Sequence, residues 1–524
     1  MTVPSAPGVL LVLDGWGHAP ASPANAITLA HTPTLDALAA KHPTTYVEAS
    51  GEAVGLLPGT VGNSEIGHMV IGAGRPLAYD SLLVQHAIDA GALRRHQPLT
   101  DTLRRLADED RALHLIGLAS DGQIHAHVEH LGELLAIAAT HRVPRVWIHA
   151  ITDGRDVADG TAPDYLRRIE EIAAEAGTGR IATVSGRGYA LDKSGDLGLT
   201  RPVTEAIADG GGRRAESAAV AAARAPRGDV WVEPTVVERT VVEPTVVADG
   251  AVADRAVADR AVADGDAILF TNFRSDRIQQ LADHLLDHLA ATGRTVSALS
   301  LAVYDTRTPI PALVQRADAS GGLADELERH GLRSVRIAEQ EKFEHVTYYV
   351  NGRDERRRPT EEHVKVIGDG PPDYTARPEM NLDKVTDAVV AAAAREDVAL
   401  VIANLANIDV VGHTGDAEAT VRATEFTDHA VDRIRVAAQA AGRWLLLVGD
   451  HGNAELMARP GPDGGPRPYG GHTTNPVPLV VVPAPGAVLP EELPAGGTLA
   501  DVAPTVLTLL GRPSGPAMTG RSLV

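Results

Sequence analysis

The residues in this chain best suited to chemistry are aspartates and histidines that occur in short sets. Asp409 and His413 stand four positions apart, so a helix or tight turn would direct both side chains toward one metal ion. Asp450 and His451 are adjacent after an apolar run, and adjacent ligands serve either one ion or two neighbouring ions. Each residue alone is more often a surface or capping residue, but together the sets predict a metal centre. Two further candidate ligands are Asp14 and His472.

The ligand types restrict the metal. The chain has no cysteine, which excludes thiolate ligands, disulfides and cysteine nucleophiles. Carboxylates and imidazoles favour Mn²⁺, Zn²⁺ or Mg²⁺, and the imidazoles shift this preference toward Mn²⁺ or Zn²⁺.

A candidate nucleophile, Ser64, lies in the segment GNSEIGH at residues 62–68. On local sequence it fits a helix N-cap as well as it fits a nucleophile. A serine hydroxyl reacts only when a base or a metal ion activates it. Two divalent ions would do so and would also hold the attacking and leaving oxygens in line. The hypothesis of a nucleophilic serine therefore depends on the metal centre.

Arginines provide the candidate anion site, because guanidinium groups bind phosphate and carboxylate through two parallel hydrogen bonds. For each one the alternative is a solvated salt bridge. The net charge of −21 repels nucleic acid and anionic membranes, so a small anionic substrate needs such a local cluster. The four candidates are Arg155, Arg187, Arg274 and Arg277.

Short apolar runs precede nearly all of these residues. Unbroken runs of this length are typical of buried parallel strands, and the alanine-rich stretches between them are typical of helices. This alternation predicts an α/β fold, in which ligands bind at the carboxyl ends of the strands. The predicted strands are Val9–Leu13, Leu113–Leu118, Val146–Ile151, Ile181–Val184, Ala267–Phe270, Val398–Ile402 and Trp444–Val448, and the clearest helices are Leu131–His141, Tyr165–Ala176 and Leu382–Arg395.

The length of 524 residues favours two domains. The sequence contains no apolar run long enough to cross a bilayer and no secretory pattern at its start, so we expect a cytoplasmic protein. Residues 231–265 read as seven five-residue units, from WVEPT to AVADG. A short β-helix is one interpretation of them, but a tandem duplication within a surface hairpin or loop fits better.

The chain resembles the cofactor-independent phosphoglycerate mutases, which belong to the alkaline phosphatase superfamily. The resemblance extends from about residue 9 to the C-terminus. It rests on LVLDGWG, GNSEIGH, SDGQIHAH, TDGRDV, SGRGYALD, NFRSDR, EKFEHVTYYVNG, DVVGHTG, GDHGN and GHTTNPVP.

The resemblance implies a fold and a set of domains. A metal-binding, alkaline-phosphatase-like three-layer α/β/α domain would comprise residues 1–78 and 308–524. A substrate-binding transferase domain, also α/β, would be inserted at 79–307 and would carry the repeat at 231–265. The two domains would close over the substrate and exclude water.

The resemblance also implies an activity, the interconversion of 3-phosphoglycerate and 2-phosphoglycerate in glycolysis and gluconeogenesis. The enzyme would be a monomer that uses two Mn²⁺ ions, with Zn²⁺, Mg²⁺ or Co²⁺ as alternatives, and no bisphosphoglycerate. Its substrate would be a small molecule, with no nucleic acid or membrane partner. One ion would bind to Asp409, His413 and His472, and the other to Asp14, Ser64, Asp450 and His451. Substrate contacts would be His125, Arg155, Asp156, Arg187, Lys193, Arg274, Arg277 and Lys342.

In this mechanism Ser64 would become phosphoserine, and Asp156 and His125 would transfer protons. Lys193 departs from the family, which usually has arginine there, so it keeps the charge but loses the paired hydrogen bonds. Two alternatives remain open. A metal-dependent phosphatase or phosphopentose mutase would share the metal residues, and a degenerate relative would only bind or support a structure.

Overall fold

The computed structural model describes residues 5–192, 194–238, 260–368, 373–461 and 465–524. The chain divides into two compact units. Unit 1 comprises residues 1–79 and 318–524, and unit 2 comprises residues 80–317. The sequence analysis set the corresponding boundaries at residues 78 and 308.

Strands and helices alternate along the described part of the chain. Its strands are β1 (Gly8–Leu13), β2 (Thr44–Glu48), β3 (Ala112–Leu118), β4 (Arg145–Thr152), β5 (Arg180–Gly186), β6 (Arg213–Ala215), β7 (Thr235–Val237), β8 (Ala267–Phe270), β9 (Ser297–Ser300), β10 (Ser334–Glu339), β11 (Glu361–Val366), β12 (Leu400–Leu405), β13 (Trp444–Gly449), β14 (Ala458–Pro460), β15 (Pro466–Pro468), β16 (Val477–Val482) and β17 (Gly497–Thr498). Its α-helices are α1 (Ala26–Leu29), α2 (Pro33–Lys41), α3 (Ser64–Ala73), α4 (Asp80–Asp89), α5 (Gln97–Asp108), α6 (His130–Thr140), α7 (Ala162–Ala176), α8 (Arg187–Ala190), α9 (Leu197–Asp209), α10 (Ala218–Ala223), α11 (Ser275–Ala291), α12 (Leu323–Arg329), α13 (Leu382–Ala393), α14 (Asn407–Gly412), α15 (Ala417–Ala440) and α16 (Val502–Leu509).

Unit 1 contains an eight-stranded sheet in the order β11-β10-β12-β1-β13-β16-β2-β17. Its central strand β1 is apolar and fully buried, as a strand covered on both faces must be. Val9 and Leu11 belong to a core that also includes residues of α13 and α15, while Leu10 and Val12 are buried on the opposite face. The sheet therefore forms the middle layer of unit 1.

Unit 2 contains a seven-stranded sheet in the order β6-β7-β5-β4-β3-β8-β9. Along β3, Leu113 and Leu115 belong to one core, and Ile116 and Leu118 belong to another. Because side chains of a strand alternate between faces, the two cores lie on opposite sides of the sheet. Unit 2 is therefore also layered.

The predicted α/β class is confirmed, and the predicted strands pair in parallel: β1 with β12 and β13 in unit 1, and β3 with β4 and β8, and β4 with β5, in unit 2. Strand β16 runs antiparallel to β13 and β2, and β7 runs antiparallel to β5. Each of these antiparallel pairs includes β16 or β7, neither of which is among the predicted strands.

The repeat at 231–265 lies mainly outside the described residues, which omit 239–259. Its first units include β7, and Arg260 donates a hydrogen bond to the backbone oxygen of Glu238 at 2.9 Å. The described ends of the repeat are thus neighbours. None of the helices in the described ranges is long and apolar enough to cross a lipid bilayer.

Candidate active site

The carboxyl edge of the sheet in unit 1 gathers the predicted metal ligands. Strand β1 lies between β12 and β13, is parallel to both and is in register with their last residues. The segments that follow the three strands therefore start side by side. They supply Asp14 after β1, Asp409 in helix α14 after β12, and Asp450 and His451 after β13.

Two glycines allow these segments to approach each other closely. Gly15 has a φ of +77°, and a Cβ atom there would lie 2.9 Å from Cα of Asp409. A Cβ atom on Gly67 in α3 would lie 2.6 Å from the backbone oxygen of Asp450. Any larger residue at either position would push the ligand segments apart.

Ser64 is the first residue of α3, and its hydroxyl does not cap the helix. The cap is Asn63, whose side chain accepts a hydrogen bond from the backbone N–H of Ile66 at 3.0 Å. The interpretation of Ser64 as an N-cap is therefore wrong. The Ser64 side chain is left to interact with the metal-ligand candidates, and it is buried with 4% of its surface exposed.

The Ser64 Oγ atom lies among charged groups. It is 3.2 Å from Oδ1 of Asp14 and 2.9 Å from Nε2 of His451. The Lys342 ammonium donates hydrogen bonds to Ser64 Oγ at 2.6 Å, to Asp14 Oδ1 at 2.8 Å and to Asp409 Oδ2 at 2.7 Å. These contacts use all three N–H groups of Lys342 and orient the Ser64 oxygen as an acceptor.

The electrostatics of this cluster are those of a cation site. Burial alone would lower the pKa of Lys342, but the charges of Asp14 and Asp409 outweigh burial and raise that pKa. For His451, burial also opposes the charged form, yet Asp450 and Asp14 raise its pKa to about 9. The three buried carboxylates thus hold two side-chain cations, which shows how strongly the site attracts positive charge.

The donor set fits divalent ions. In the described part of the chain, two groups of three aspartates and histidines each have ligand atoms that lie within 4.8 Å of one another. Oδ1 of Asp409 is buried and has no hydrogen-bond partner among the described residues, as expected for an atom that coordinates a cation. The groups are Asp409, His451 and His472, and Asp14, Asp450 and His451.

His413 and His472 form a pair beside Asp409. Their Nε2 atoms lie 3.1 Å apart, and they are 3.4 and 3.5 Å from Oδ1 of Asp409. Nδ1 of His413 is 2.7 Å from the backbone oxygen of Gly470, and Nδ1 of His472 is 2.8 Å from that of Gly62. A proton on each Nδ1 leaves each Nε2 lone pair available to one shared ion.

Unit 2 contains the predicted substrate residues at the corresponding edge of its own sheet. Strands β5, β4, β3 and β8 are neighbours and parallel, so their carboxyl ends lie at one edge. Arg187 begins α8 directly after β5, Arg155 and Asp156 follow β4, His125 follows β3, and Arg274 follows β8.

Arg187 is anchored by two carboxylates. Its Nη1 atom lies 2.6 Å from Oδ1 of Asp153 and 2.7 Å from Oδ2 of Asp156. The same oxygen of Asp153 accepts hydrogen bonds from the backbone N–H groups of Arg155 and Asp156, each at 3.0 Å. Asp153 therefore fixes both the guanidinium group and the turn that presents Arg155.

Arg274 and Arg277 flank Asp276 and are only partly buried, each with 25% of its side chain exposed. Nε of Arg274 is 2.9 Å from Asp276, and Nε of Arg277 is 3.8 Å from it. Burial, and next the charges of Arg155, Arg187 and Arg274, lower the pKa of Arg277 against the opposing effect of Asp276. Such mutual repulsion indicates a cluster suited to an anion.

His125 lies among these arginines and is 4% exposed. Its Nε2 atom is 4.0 Å from Asp156, and its Nδ1 atom is 3.9 Å from Asp276. Burial, followed by the four arginines, holds the pKa of His125 well below 6.5, so the imidazole is neutral at neutral pH. Burial, opposed by Arg187, raises the pKa of Asp156.

The structure thus brings the predicted metal residues and Lys342 together in unit 1 and six predicted substrate residues together in unit 2. Lys193 lies outside the described residues. Sequence reasoning missed the side chains that hold the others in place. Asp153 and Asp276 stand inside the quoted motifs TDGRDV and NFRSDR, and His68 ends GNSEIGH, so their motif positions were the available signal.

Fold and site together define a metalloenzyme of the α/β class. The family model described as the metalloenzyme superfamily matches residues 6–514.

Comparison with known proteins identifies the family within that class. A 2,3-bisphosphoglycerate-independent phosphoglycerate mutase from Streptomyces coelicolor is 65% identical over 518 residues, covering 99% of this chain and 98% of the relative. One from a Synechococcus species is 39% identical over 532 residues, covering 99% of this chain and 96% of the relative. The chain therefore belongs to the family of 2,3-bisphosphoglycerate-independent phosphoglycerate mutases, a family of isomerases.

A solved structure agrees with this assignment. The crystal structure of Leishmania mexicana phosphoglycerate mutase at low cobalt concentration superposes with a TM-score of 0.78 at 28% identity. The match covers 99% of this chain and 98% of the Leishmania chain.

Proposed function

We propose that this enzyme interconverts 3-phosphoglycerate and 2-phosphoglycerate through a phosphoserine on Ser64, with two divalent metal ions and without bisphosphoglycerate. The observation that carries the proposal is the position of Ser64 Oγ, buried 2.6 Å from Lys342 Nζ and 3.2 Å from Asp14. A serine that only supported the fold would not need a cationic donor and a cluster of carboxylates around its hydroxyl.

Ser64 would act as the nucleophile in two in-line steps. In the first, its oxygen bonds to phosphorus while the bond from phosphorus to the substrate oxygen breaks. In the second, the other hydroxyl of glycerate attacks the phosphoserine and Ser64 leaves. The Lys342 ammonium stabilises the negative charge on the Ser64 oxygen in both steps because it already donates to that oxygen.

The metal ligands would divide between two ions. Asp409, His413 and His472 would hold one, and Asp14, Ser64, Asp450 and His451 the other. When bound, the ions would lower the pKa of the serine hydroxyl and neutralise charge on the phosphoryl oxygens. Mn²⁺ suits this mixture of carboxylates and imidazoles, as Zn²⁺ and Co²⁺ do.

The arginine cluster of unit 2 would bind the anionic groups of the substrate. Arg155, Arg274 and Arg277 have exposed or partly exposed guanidinium groups, which leaves surface for a carboxylate or phosphate. Nη1 of Arg187 is already paired with Asp153 and Asp156. Arg187 would therefore attract the substrate through its positive charge and contact it with the remaining face of its guanidinium group. We retain Lys193 as a proposed contact.

Proton transfer would use Asp156 and His125. The imidazole of His125 is neutral and so has a lone pair for a proton, but its lowered pKa makes it a weak base. The carboxyl group of Asp156 has a raised pKa and is therefore more basic than an ordinary aspartate. Together they would remove the proton from the attacking hydroxyl of glycerate and return it to the departing oxygen.

The test is conversion of 3-phosphoglycerate to 2-phosphoglycerate in Mn²⁺-supplemented buffer, coupled to enolase, with no bisphosphoglycerate added. We expect turnover that stops on chelation and returns with Mn²⁺. Release of inorganic phosphate as the main product would instead indicate a phosphatase, and absence of turnover would contradict the proposal.

A further inference from the structure

We propose that His68 and Asn404 are positioning residues that fix Asp14 and Asp450 for one of the two metal ions, the ion next to Ser64. The proposal rests on the two-ion function above. It predicts that the two metal sites differ in their dependence on buried polar neighbours.

His68 links the nucleophile helix to a metal ligand. It lies one turn after Ser64 on α3 and is 0% exposed. Its Nδ1 atom is 2.8 Å from the backbone oxygen of Ser64 and 3.2 Å from Oδ2 of Asp450. A proton on Nδ1 is donated to the backbone oxygen of Ser64, and the same ring lies against Oδ2 of Asp450, which has no hydrogen-bond partner among the described residues.

Asn404 completes the link to the second carboxylate. It lies inside β12, is 0% exposed, and places Nδ2 2.6 Å from Oδ2 of Asp14 and 3.1 Å from Nε2 of His68. The two amide hydrogens match these two acceptors, whereas the reversed amide would direct an oxygen at the carboxylate. The network is consistent only with His68 as the neutral tautomer protonated on Nδ1.

These contacts leave the opposite side of each carboxylate turned to the centre. Asn404 holds Oδ2 of Asp14, while Oδ1 faces Ser64 and Lys342. Oδ1 of Asp450 accepts a hydrogen bond from the backbone N–H of Gly15 at 3.2 Å, while Oδ2 lies 3.2 Å from His68 Nδ1 and has no hydrogen-bond partner in the part of the chain that the structure describes. Outer partners of this kind orient metal ligands and raise affinity.

The other proposed site has different supports. His413 and His472 contact backbone oxygens of Gly470 and Gly62. The hydrogen bonds of His68 and Asn404 go instead to Asp14, to each other and to the start of α3. Disturbing His68 or Asn404 should therefore weaken one ion and spare the other.

The test is to titrate the metal-free full chain with Mn²⁺ in the absence of substrate. Calorimetry and electron paramagnetic resonance measure the binding of each ion. We expect two ions to bind the wild-type chain. In Asn404→Ala one ion should keep its affinity and the other should bind about 10–100-fold more weakly. His68→Asn keeps a donor near the Nδ1 position but cannot reach Asn404, so it should weaken the same ion less.

Asn351→Ala is the matched control. Asn351 is a buried asparagine of unit 1 whose Nδ2 donates to both oxygens of Glu361 at 3.1 Å, so its loss also removes amide-to-carboxylate bonds. It should leave both Mn²⁺ affinities unchanged. If Asn404→Ala fails to fold, His68→Asn supplies the same comparison.

Unchanged affinities in both variants, or equal weakening of both ions, would overturn the positioning role. A wild-type chain that binds one ion would instead contradict the two-ion function. In that case the roles of His68 and Asn404 would stand only if that single ion were weakened in the variants and not in Asn351→Ala.

Discussion

The metal-ligand cluster of unit 1 and the arginine cluster of unit 2 are built from opposite charges. In unit 1 the carboxylates of Asp14 and Asp450 are completely buried, and cationic side chains hold them in place. In unit 2 the side chains of Arg274 and Arg277 are each 25% exposed to solvent. A sheet edge of the same kind thus supports two different binding chemistries.

The difference in burial explains how each cluster would work. Buried carboxylates are tolerated only with bound positive charge, so the first cluster suits an ion that stays in place. Partly hydrated arginines that repel one another suit an anion that must enter and leave in each turnover.

Ser64→Ala should lower mutase turnover by at least ~10⁴-fold and abolish the phosphoenzyme, because no other group would replace the lost nucleophile. The coupled enolase assay measures the first effect, and peptide mass spectrometry after acid quenching measures the second. Ser334→Ala, which removes another buried serine hydroxyl of unit 1, should retain activity. Persisting turnover in Ser64→Ala would place the nucleophile elsewhere.

Arg187→Ala should destabilise the protein by about 3–5 kcal/mol, since it leaves Asp153 and Asp156 buried without their cation. Arg277→Ala should change the free energy of unfolding by less than about 1 kcal/mol, because that side chain is partly exposed, lies 3.8 Å from its carboxylate neighbour and is repelled by the other arginines. It should nevertheless raise KM. Urea unfolding and steady-state kinetics separate the two effects, and equal stability losses would contradict the contrast.

Mn²⁺ at about 100 times its Kd should raise the free energy of unfolding of metal-free protein by about 2.7 kcal/mol for each ion bound. Inorganic phosphate should also stabilise the protein, through the arginines. Thermal unfolding with each additive measures both effects. In Arg277→Ala the response to phosphate should shrink while the response to Mn²⁺ stays, and loss of both responses would show that the clusters are not separate sites.

His130 should make the free energy of unfolding depend on pH in the acid range. Burial, and next the charge of His127, lower its pKa from 6.5 to about 4. Between these values the unfolded chain binds a proton that the folded chain does not, so stability falls as pH falls. The slope is at most about 1.4 kcal/mol per pH unit.

His130→Gln should flatten that part of the stability profile, measured by urea unfolding from pH 7 to about pH 4. His31→Gln, at an exposed histidine of unit 1, is the control. An unchanged slope in His130→Gln would show that His130 takes up its proton at the same pH in the folded and unfolded chains.

The spacing of the ligands and the approximate positions of the strands that precede them could be read from the sequence. Asp409 and His413 stand four positions apart in the sequence. Because helix α14 begins before Asp409 and ends at its C-cap His413, this spacing brings the two side chains together. The run predicted at Val398–Ile402 forms strand β12 at Leu400–Leu405 instead. Asn404 interrupts the apolar pattern there, so periodicity alone places the end of the strand too early.

Other features depended on contacts that the sequence pattern does not specify. Asn63 and Ser64 are both good helix caps, and only the folded chain shows that Asn63 takes that role. Likewise Asp153 reads as an ordinary turn residue until Arg187, 34 positions further along the chain, is found beside it.

The α/β class, the family and the side chains available for chemistry follow from local apolar runs and from motifs in order, so they could be predicted from the sequence. Which of those side chains meet, which are buried and what holds them depend on the folded chain. Asp14 and Asn404 are 390 positions apart and yet hydrogen-bonded at 2.6 Å. Contacts at such separation arise from the parallel pairing of β1 with β12, which no local pattern specifies.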